Sequence, residues 1–338
     1  MTTITTLIPA YRPDYLGEVF LGLKTQHLRD FRVVLSDDSP GGAITDAIRR
    51  GVWDALIDGF EMVVVPGPRA GCFRNIQHLL QQWNGATPLV HLQMDDDVIY
   101  PDFYRLHAMT HASAALGASV SRRWLAGADG RPQAALPLPE LVAQQPQRVL
   151  AIGGEAIVAT TIASCTNWLG EFSNAVLGRA AAARLRDAML GGLSYYGLAD
   201  IGVLIDVSQD LPIGFVHEHL GVFRTHASQR SAATASHGLR CGYLAWAALA
   251  LGAQAARRLD AAGTRQAVNH VARIARQQYR GDDAFDAFVA LVDAHGSEGP
   301  ALHAAFRGFW HALLATDADS CEAVREAALP ACADAAAA

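Results

Sequence analysis

Leu89-Val90-His91-Leu92-Gln93-Met94-Asp95-Asp96-Asp97 runs from an apolar stretch straight into three adjacent carboxylates. A short apolar run that ends in charge reads as a strand buried on both faces, its carboxyl end emerging toward solvent. Working back toward the N-terminus, the same rhythm recurs. Ile4 to Ile8 ends at Pro9, and Leu16, Val19, Phe20 and Leu23 follow at helical spacing. Phe31 to Leu35 leads through Ser36-Asp37-Asp38-Ser39-Pro40-Gly41-Gly42 into a helical pattern at Ile44, Ile48, Val52 and Leu56. Met62 to Val65 passes through Pro66-Gly67-Pro68 to Ile76, Leu79, Leu80 and Trp83, after which Leu89 to Met94 forms the fourth strand. This alternation predicts an α/β fold with a mostly parallel sheet flanked by helices. Ligands of such sheets sit outside the carboxyl ends of the strands, here the loops Pro9-Ala10-Tyr11, Asp37-Asp38-Ser39 and Asp95-Asp96-Asp97.

Composition bounds the rest. At 338 residues, 51% hydrophobic and 18% charged, the chain can bury a substantial core or build a main domain with a smaller companion. Its 33 acidic and 27 basic residues give a net charge of −6, and Lys24 is its one lysine, which disfavours nucleic-acid binding. Five scattered cysteines, Cys72, Cys165, Cys241, Cys321 and Cys332, contain no C-x-x-C pair and argue against a disulfide framework or zinc ribbon. The N-terminus lacks the basic and apolar regions of a signal peptide, and the uncharged stretch from Cys241 to Ala256 is too short to span a bilayer and predicts a buried helix. A cytoplasmic protein is expected, with peripheral contact at the inner face of the membrane left open. Beyond Leu116 the rhythm loosens, with Pro- and Gly-containing segments from Gly127 to Pro146 and a Gly153-Gly154 break before a helix. From about Gly238 an Ala-, Leu-, Arg- and Asp-rich helical pattern takes over, placing a boundary near Ser236, a helical region over 237–334 and a tail over 335–338.

Three neighbouring carboxylates at a strand end repel one another, and a hard divalent cation, Mg2+ or Mn2+, relieves that repulsion. The alternative is a solvated acidic turn. Asp38, at another strand end of the same sheet, can accept from a nucleobase N–H or a ribose hydroxyl, while Asp37 and Ser39 suit a turn. The Pro101-Asp102 pair reads as the structural first turn of a helix. Two further clusters stand apart: His217-Glu218-His219, whose alternate residues share a strand face but lack a third zinc ligand at fixed spacing, and Arg122-Arg123-Trp124, read as surface with a packed Trp. Asp200, before Ile-Gly-Val-Leu, fits a helix N-cap when read alone.

Taken in order, these elements resemble glycosyltransferase family 2, nucleotide-sugar enzymes of the GT-A fold. Ile8-Pro9-Ala10-Tyr11-Arg12 is similar to the opening Pro-x-Tyr/Phe-Asn element. Val33-Val34-Leu35-Ser36-Asp37-Asp38-Ser39 resembles the Asp-Asp-Gly-Ser strand end, and Gly71-Cys72-Phe73-Arg74-Asn75 a shortened Gly-x-x-x-Ala-Arg-Asn element. Asp95-Asp96-Asp97 looks like the metal-binding Asp-x-Asp. Asn167 to Arg179 resembles the acceptor-side segment of bacterial members, and Leu198-Ala199-Asp200-Ile201, then Gly214 to His226, look like the Glu-Asp helix and the strand ending in Arg-x-His.

The resemblance implies a GT-A domain over 1–236, its nucleotide-binding half about 1–105 and its acceptor half about 106–236. Donor contacts fall to Pro9, Tyr11, Arg12, Asp38, Arg74, Asn75, Asp95 and Arg224, acceptor contacts to Trp168 and Glu171, metal contacts to Asp96, Asp97 and His226, and general-base catalysis to Asp200. The implied reaction is inverting, metal-dependent transfer of one sugar from a nucleotide-sugar donor to a glycan, glycolipid or glycoprotein acceptor. Arg123-Trp124 has Val120 where the polymerising synthases of the family have Gln, which argues against a polysaccharide synthase. A nucleotidyltransferase of nucleotide-sugar synthesis is the rival enzyme, though its glycine-rich phosphate loop is not found near Pro9. A non-catalytic scaffold of the same fold is the rival from another class.

Overall fold

The computed structural model describes residues 3–226 and 237–316. The chain runs β1 (Ile4–Ala10), α1 (Leu16–Lys24), β2 (Phe31–Asp37), α2 (Ala43–Arg49), α3 (Asp54–Ile57), β3 (Glu61–Pro66), α4 (Cys72–Trp83) and β4 (Leu89–Leu92). It continues through β5 (Val98–Ile99), α5 (Phe103–Ser113), β6 (Ala118–Ala126), β7 (Pro132–Ala135), α6 (Glu140–Ala143), β8 (Val149–Ile152), α7 (Gly154–Thr161), β9 (Ala175–Gly178) and α8 (Arg179–Asp187). Next come the hairpin β10 (Met189–Leu190) and β11 (Leu193–Ser194), α9 (Ala199–Ser208), the long β12 (Ile213–Arg224), and helices α10 (His237–Ala255), α11 (Ala261–Gln278), α12 (Asp283–His295) and α13 (Gly299–Leu314).

The chain forms two compact units. Among the described residues, the first comprises 3–154, 168–186 and 210–226 and the second 155–167, 187–209 and 237–316. In the first unit one sheet has the order β3-β2-β1-β4-β9-β6-β12-β5, with β7 added to β6 and β8 to β12. β3, β2, β1 and β4 are parallel, β9 enters antiparallel between β4 and β6, and β6 and β12 are parallel again. β1 is buried along its whole length, as a strand covered on both faces must be. Its Thr5 and Thr6 are tolerated there because Thr5 bonds Thr87 and Thr6 bonds the Tyr104 hydroxyl. Ile8, Phe20, Leu23, Leu35, Phe103 and Leu106 pack into one core beside them. The second unit buries Phe285, Phe288, Phe306 and Trp310 among α10 to α13, and Asp260 and Asp282 cap α11 and α12 through side-chain bonds to backbone N–H groups.

The expected α/β class with an α-helical C-terminal region is what the chain adopts. The single helix expected through Ile44, Ile48, Val52 and Leu56 is instead two, because Gly51 turns left-handed at φ 77° and ends α2 before the one-turn α3. The fourth strand stops at Leu92 rather than Met94, since the Gln93 side chain donates to the carbonyls of Met94 and Asp97 and folds the chain into a loop. Asp200 is not an N-cap: Leu198 holds that position and Asp200 lies in the first turn of α9. The stretch from Cys241 forms the expected buried helix, and no helix among the described residues is long and apolar enough to cross a membrane. Residues 317–334 of the expected helical region, the tail over 335–338, Ser236, Cys321 and Cys332 lie outside the described residues.

Candidate active site

The three strand-end loops are tied together by hydrogen bonds. Asp95, just past β4, accepts the backbone N–H groups of Tyr11 (2.8 Å) and Arg12 (3.0 Å) through Oδ2, fixing the exit of β1. Asp38 N–H donates to the Ala10 carbonyl at 2.8 Å, and Gly67 N–H to the Asp37 carbonyl at 2.8 Å. The edges of β3, β2, β1 and β4 are thereby stitched into one shelf. Pro9 is buried in β1, Tyr11 stands 54% exposed beyond it, and Arg12 is half-buried.

Asp37 and Asp38 divide their work. Asp37 takes the N–H and hydroxyl of Ser39 on Oδ1 and those of Thr45 on Oδ2, so both oxygens shape the turn into α2. Burial alone would raise its carboxyl, but these bonds outweigh it and hold Asp37 below the usual carboxylate value. Asp38 accepts only the Arg69 N–H, on Oδ1, at 2.5 Å, leaving Oδ2 without a hydrogen bond among the described residues. Gly67 makes room for it: a methyl there would sit 2.5 Å from Asp38 Oδ1. Arg74 and Asn75 stand in the first turns of α4. Arg74 donates to the Gln77 side chain at 3.1 Å and Asn75 to the Ser36 carbonyl at 3.4 Å, which docks the helix on β2.

Asp96 and Asp97 differ as sharply. Asp96 is partly exposed and its Oδ2 lies 3.1 Å from His226 Nε2. Asp97 is buried, accepts the Arg224 N–H at 2.9 Å on Oδ1, and keeps Oδ2 shielded with no partner among the described residues. Burial, then the neighbouring Asp96 charge, pushes the Asp97 carboxyl well up; Asp95 is also raised by burial. Asp97 lines a small cavity with Arg123, Glu171, Ser173 and Asn174, where Arg123 and Glu171 form an ion pair in which Nη2 donates to Oε1 at 2.7 Å.

Arg224 is fully buried. Its guanidinium donates to the Asp96 carbonyl (2.8 Å), the Ala128 carbonyl (2.7 Å) and Glu18 Oε2 (2.6 Å), and lies 4.3 Å over the Tyr15 ring. It therefore shapes the acidic loop from below. Tyr15 also approaches the His226 ring at 5.3 Å. Of the two residues expected to contact the acceptor, Trp168 is buried against Phe215 and Glu171 is the partner of Arg123. Asp200 belongs to the second unit, where its carboxylate accepts the Ile201 N–H at 2.8 Å.

Thus Pro9, Tyr11, Arg12, Asp38, Asp95, Asp96, Asp97, Arg224 and His226 gather at one edge of the first unit. Glu18, Tyr15, Arg123 and Ser173 were not singled out from sequence as part of it. Arg123 had a signal, an arginine beside Trp in a strand pattern; Glu18 had none, since an exposed Glu on a helix is ordinary.

No group of three or more His, Cys, Asp or Glu side chains among the described residues is placed to hold a metal ion. Asp96 and His226 supply two ligand atoms, and Mg2+ typically takes one or two carboxylates and fills its shell with substrate phosphates and water. The pair fits an ion that binds together with a diphosphate.

This architecture is the GT-A glycosyltransferase fold. S. aureus TarS 1–349 in complex with UDP-GlcNAc matches with a TM-score of 0.59, covering 96% of this chain and 90% of that one at 14% identity. GalNAc-T7 with UDP, GalNAc and Mn2+ matches with a TM-score of 0.53, covering 88% of this chain and 55% of that one at 10% identity. No family model and no curated protein matches the sequence.

Proposed function

We propose that the protein is a metal-dependent, inverting glycosyltransferase, akin to family 2 and hexosyltransferase-like, that moves one sugar from a nucleotide-sugar donor to a glycan, glycolipid or glycoprotein hydroxyl. The observation that carries this reading is the carboxylate arrangement at the sheet edge: Asp38 with an open oxygen, Asp96 beside His226, and Asp97 buried with an unpartnered oxygen. The likeness to chains bound to UDP-GlcNAc and to UDP with Mn2+ supports the donor class and the metal.

In this reading Asp38 receives the nucleoside, with Pro9 and Tyr11 forming the floor and rim of its pocket, and Arg12, Arg74 and Asn75 border the donor. Asp96 and His226 hold Mg2+ or Mn2+, with Asp97 supporting them. When bound, the cation neutralises charge that develops on the departing diphosphate. Arg224 fixes the carbonyl of Asp96 and the carboxylate of Asp97, so that the ligand atoms stay oriented. Trp168 and Glu171 belong to the acceptor side, where Glu171 is oriented by Arg123. Asp200 removes the proton of the attacking hydroxyl; its place in the chain, between the acceptor-side segment and β12, supports this role. A base that acts opposite the leaving group produces inversion.

We also propose the transferase domain as 1–236 with 237–334 as an appended helical region, and a cytoplasmic location with peripheral membrane contact open to the acceptor. The test is donor binding by thermal shift: UDP or GDP should raise the melting temperature only when Mn2+ is present. Absence of any nucleotide-dependent shift, with either metal, overturns the reading.

A further inference from the structure

Two sequence clusters that the donor site does not use are brought together by a defect in the sheet. β6 and β12 run parallel in regular register from Ala118↔Ile213 to Ser121↔Val216, and then Arg122 pairs with His219 and Trp124 with Val222. Between Val216 and His219, and again between His219 and Val222, the register shifts. Bulges give up regular ladder bonds and re-aim side chains, and they recur beside binding sites. Here they gather His217 and His219 around Arg122 and Trp124.

The His219 ring stacks on Trp124, with centroids 3.9 Å apart and planes at 11°, and His217 stands edge-on to Phe215. Both Nε2 atoms are shielded from solvent and without a hydrogen-bond partner among the described residues. Arg122 is half-buried and makes no hydrogen bond or ion pair there. Arg122 stands opposite His219 in the ladder, and burial first, then the Arg122 charge, lower both imidazoles. A metal is disfavoured beside that charge, and no metal-competent cluster is found among the described residues. What remains is a set of N–H donors with no acceptor among the described residues.

We propose that Arg122, His217 and His219, with Trp124 holding His219 flat, form an oxyanion subsite that takes a phosphoryl group carried by the acceptor. A guanidinium fork and two imidazole N–H groups are donors of the kind that recognises a tetrahedral phosphoryl group. The subsite lies on the strand that ends at Arg224, five residues beyond His219 and so about 16 Å along an extended chain. That spacing separates it from the donor diphosphate and sets the anion apart from the hydroxyl under attack. The assignment to the acceptor rests on the glycosyl-transfer reading above.

Inorganic phosphate is the probe, titrated calorimetrically into the full chain saturated with UDP or GDP and Mg2+, at constant ionic strength. The parent should bind phosphate with the nucleotide in place. Arg122→Gln and the double change His217→Gln/His219→Gln should each weaken it at least about tenfold, with nucleotide affinity unchanged. The two variants alter different strands, so misfolding of one leaves the other to decide. Phosphate binding abolished by nucleotide assigns the anion to the donor pocket and overturns the proposal, as does undiminished binding by a folded variant. Failure of both nucleotides to bind the parent, with phosphate binding still lost in the variants, sinks the transferase reading and leaves the oxyanion subsite standing.

Discussion

Adjacent carboxylates in this protein hold opposite duties, and the backbone assigns them. Asp37 is saturated by Ser39 and Thr45, whereas Asp38, one residue on, presents an oxygen with no bond among the described residues. Asp38→Ala should weaken nucleotide binding while leaving turnover of bound donor nearly unchanged, measured as a change in KM without one in kcat. Asp96→Ala should abolish the Mn2+-dependent thermal shift; an equal shift in variant and parent would remove Asp96 from the metal site. Asp200→Asn keeps the shape but cannot take a proton, so transfer should fall by roughly 10²–10⁴ while melting temperature and nucleotide binding hold. The sequence named these acidic clusters because charge following an apolar run is visible in one dimension. It could not rank their members, since rank depends on which N–H groups the folded loops bring within reach.

At the level of elements, Asp95 shows how one side chain fastens two strand exits. Asp95→Ala leaves the N–H groups of Tyr11 and Arg12 without their acceptor and should cost about 1–3 kcal/mol in denaturant unfolding. Nucleotide affinity should drop with it, because the shelf loosens. β1 to β4 and the helices between them were legible because short apolar runs that end in Pro, Gly or Asp alternate with apolar residues at helical spacing, a pattern visible in one dimension. The break at Gly51 depended on a left-handed turn, and the bulges of β12 on its pairing with β6, neither of which periodicity encodes. Nor did Arg224 announce its place: a fully buried arginine that donates to Asp96, Ala128 and Glu18, contributed by separate segments, is a tertiary fact.

Over the whole molecule, buried histidines contribute to the response to acid beside carboxyls such as Asp37, which hydrogen bonds hold low. His91 bonds the Tyr104 hydroxyl and the Ser173 carbonyl, and burial lowers its pKa to about 3. Burial also lowers His107 well below the ordinary histidine value. Between pH 6.5 and 3 the unfolded chain binds the His91 proton and the folded chain does not, so stability is full at neutral pH and declines as pH falls through that window. Asp95 and Asp97, raised by burial, act in the opposite sense, so the comparison with a variant isolates the histidine. His91→Gln should flatten the loss of melting temperature between pH 6.5 and 4; an unchanged slope would assign the acid response elsewhere.

The helices at the end of the chain hold more than themselves. Trp310 of α13 donates to the Ser194 carbonyl at 2.7 Å, and Gly197, at φ 94°, lies so near α10 that a methyl would come within 2.6 Å of the Cys241 carbonyl carbon. Both clamp the segment that delivers Asp200. With Asp200 as the base, a genetic screen for lost transfer would return lesions at Gly197 and Trp310 beside those at the acidic loop. Their products would still retain nucleotide on an affinity column, so the two classes of mutant would sort by what they can still hold.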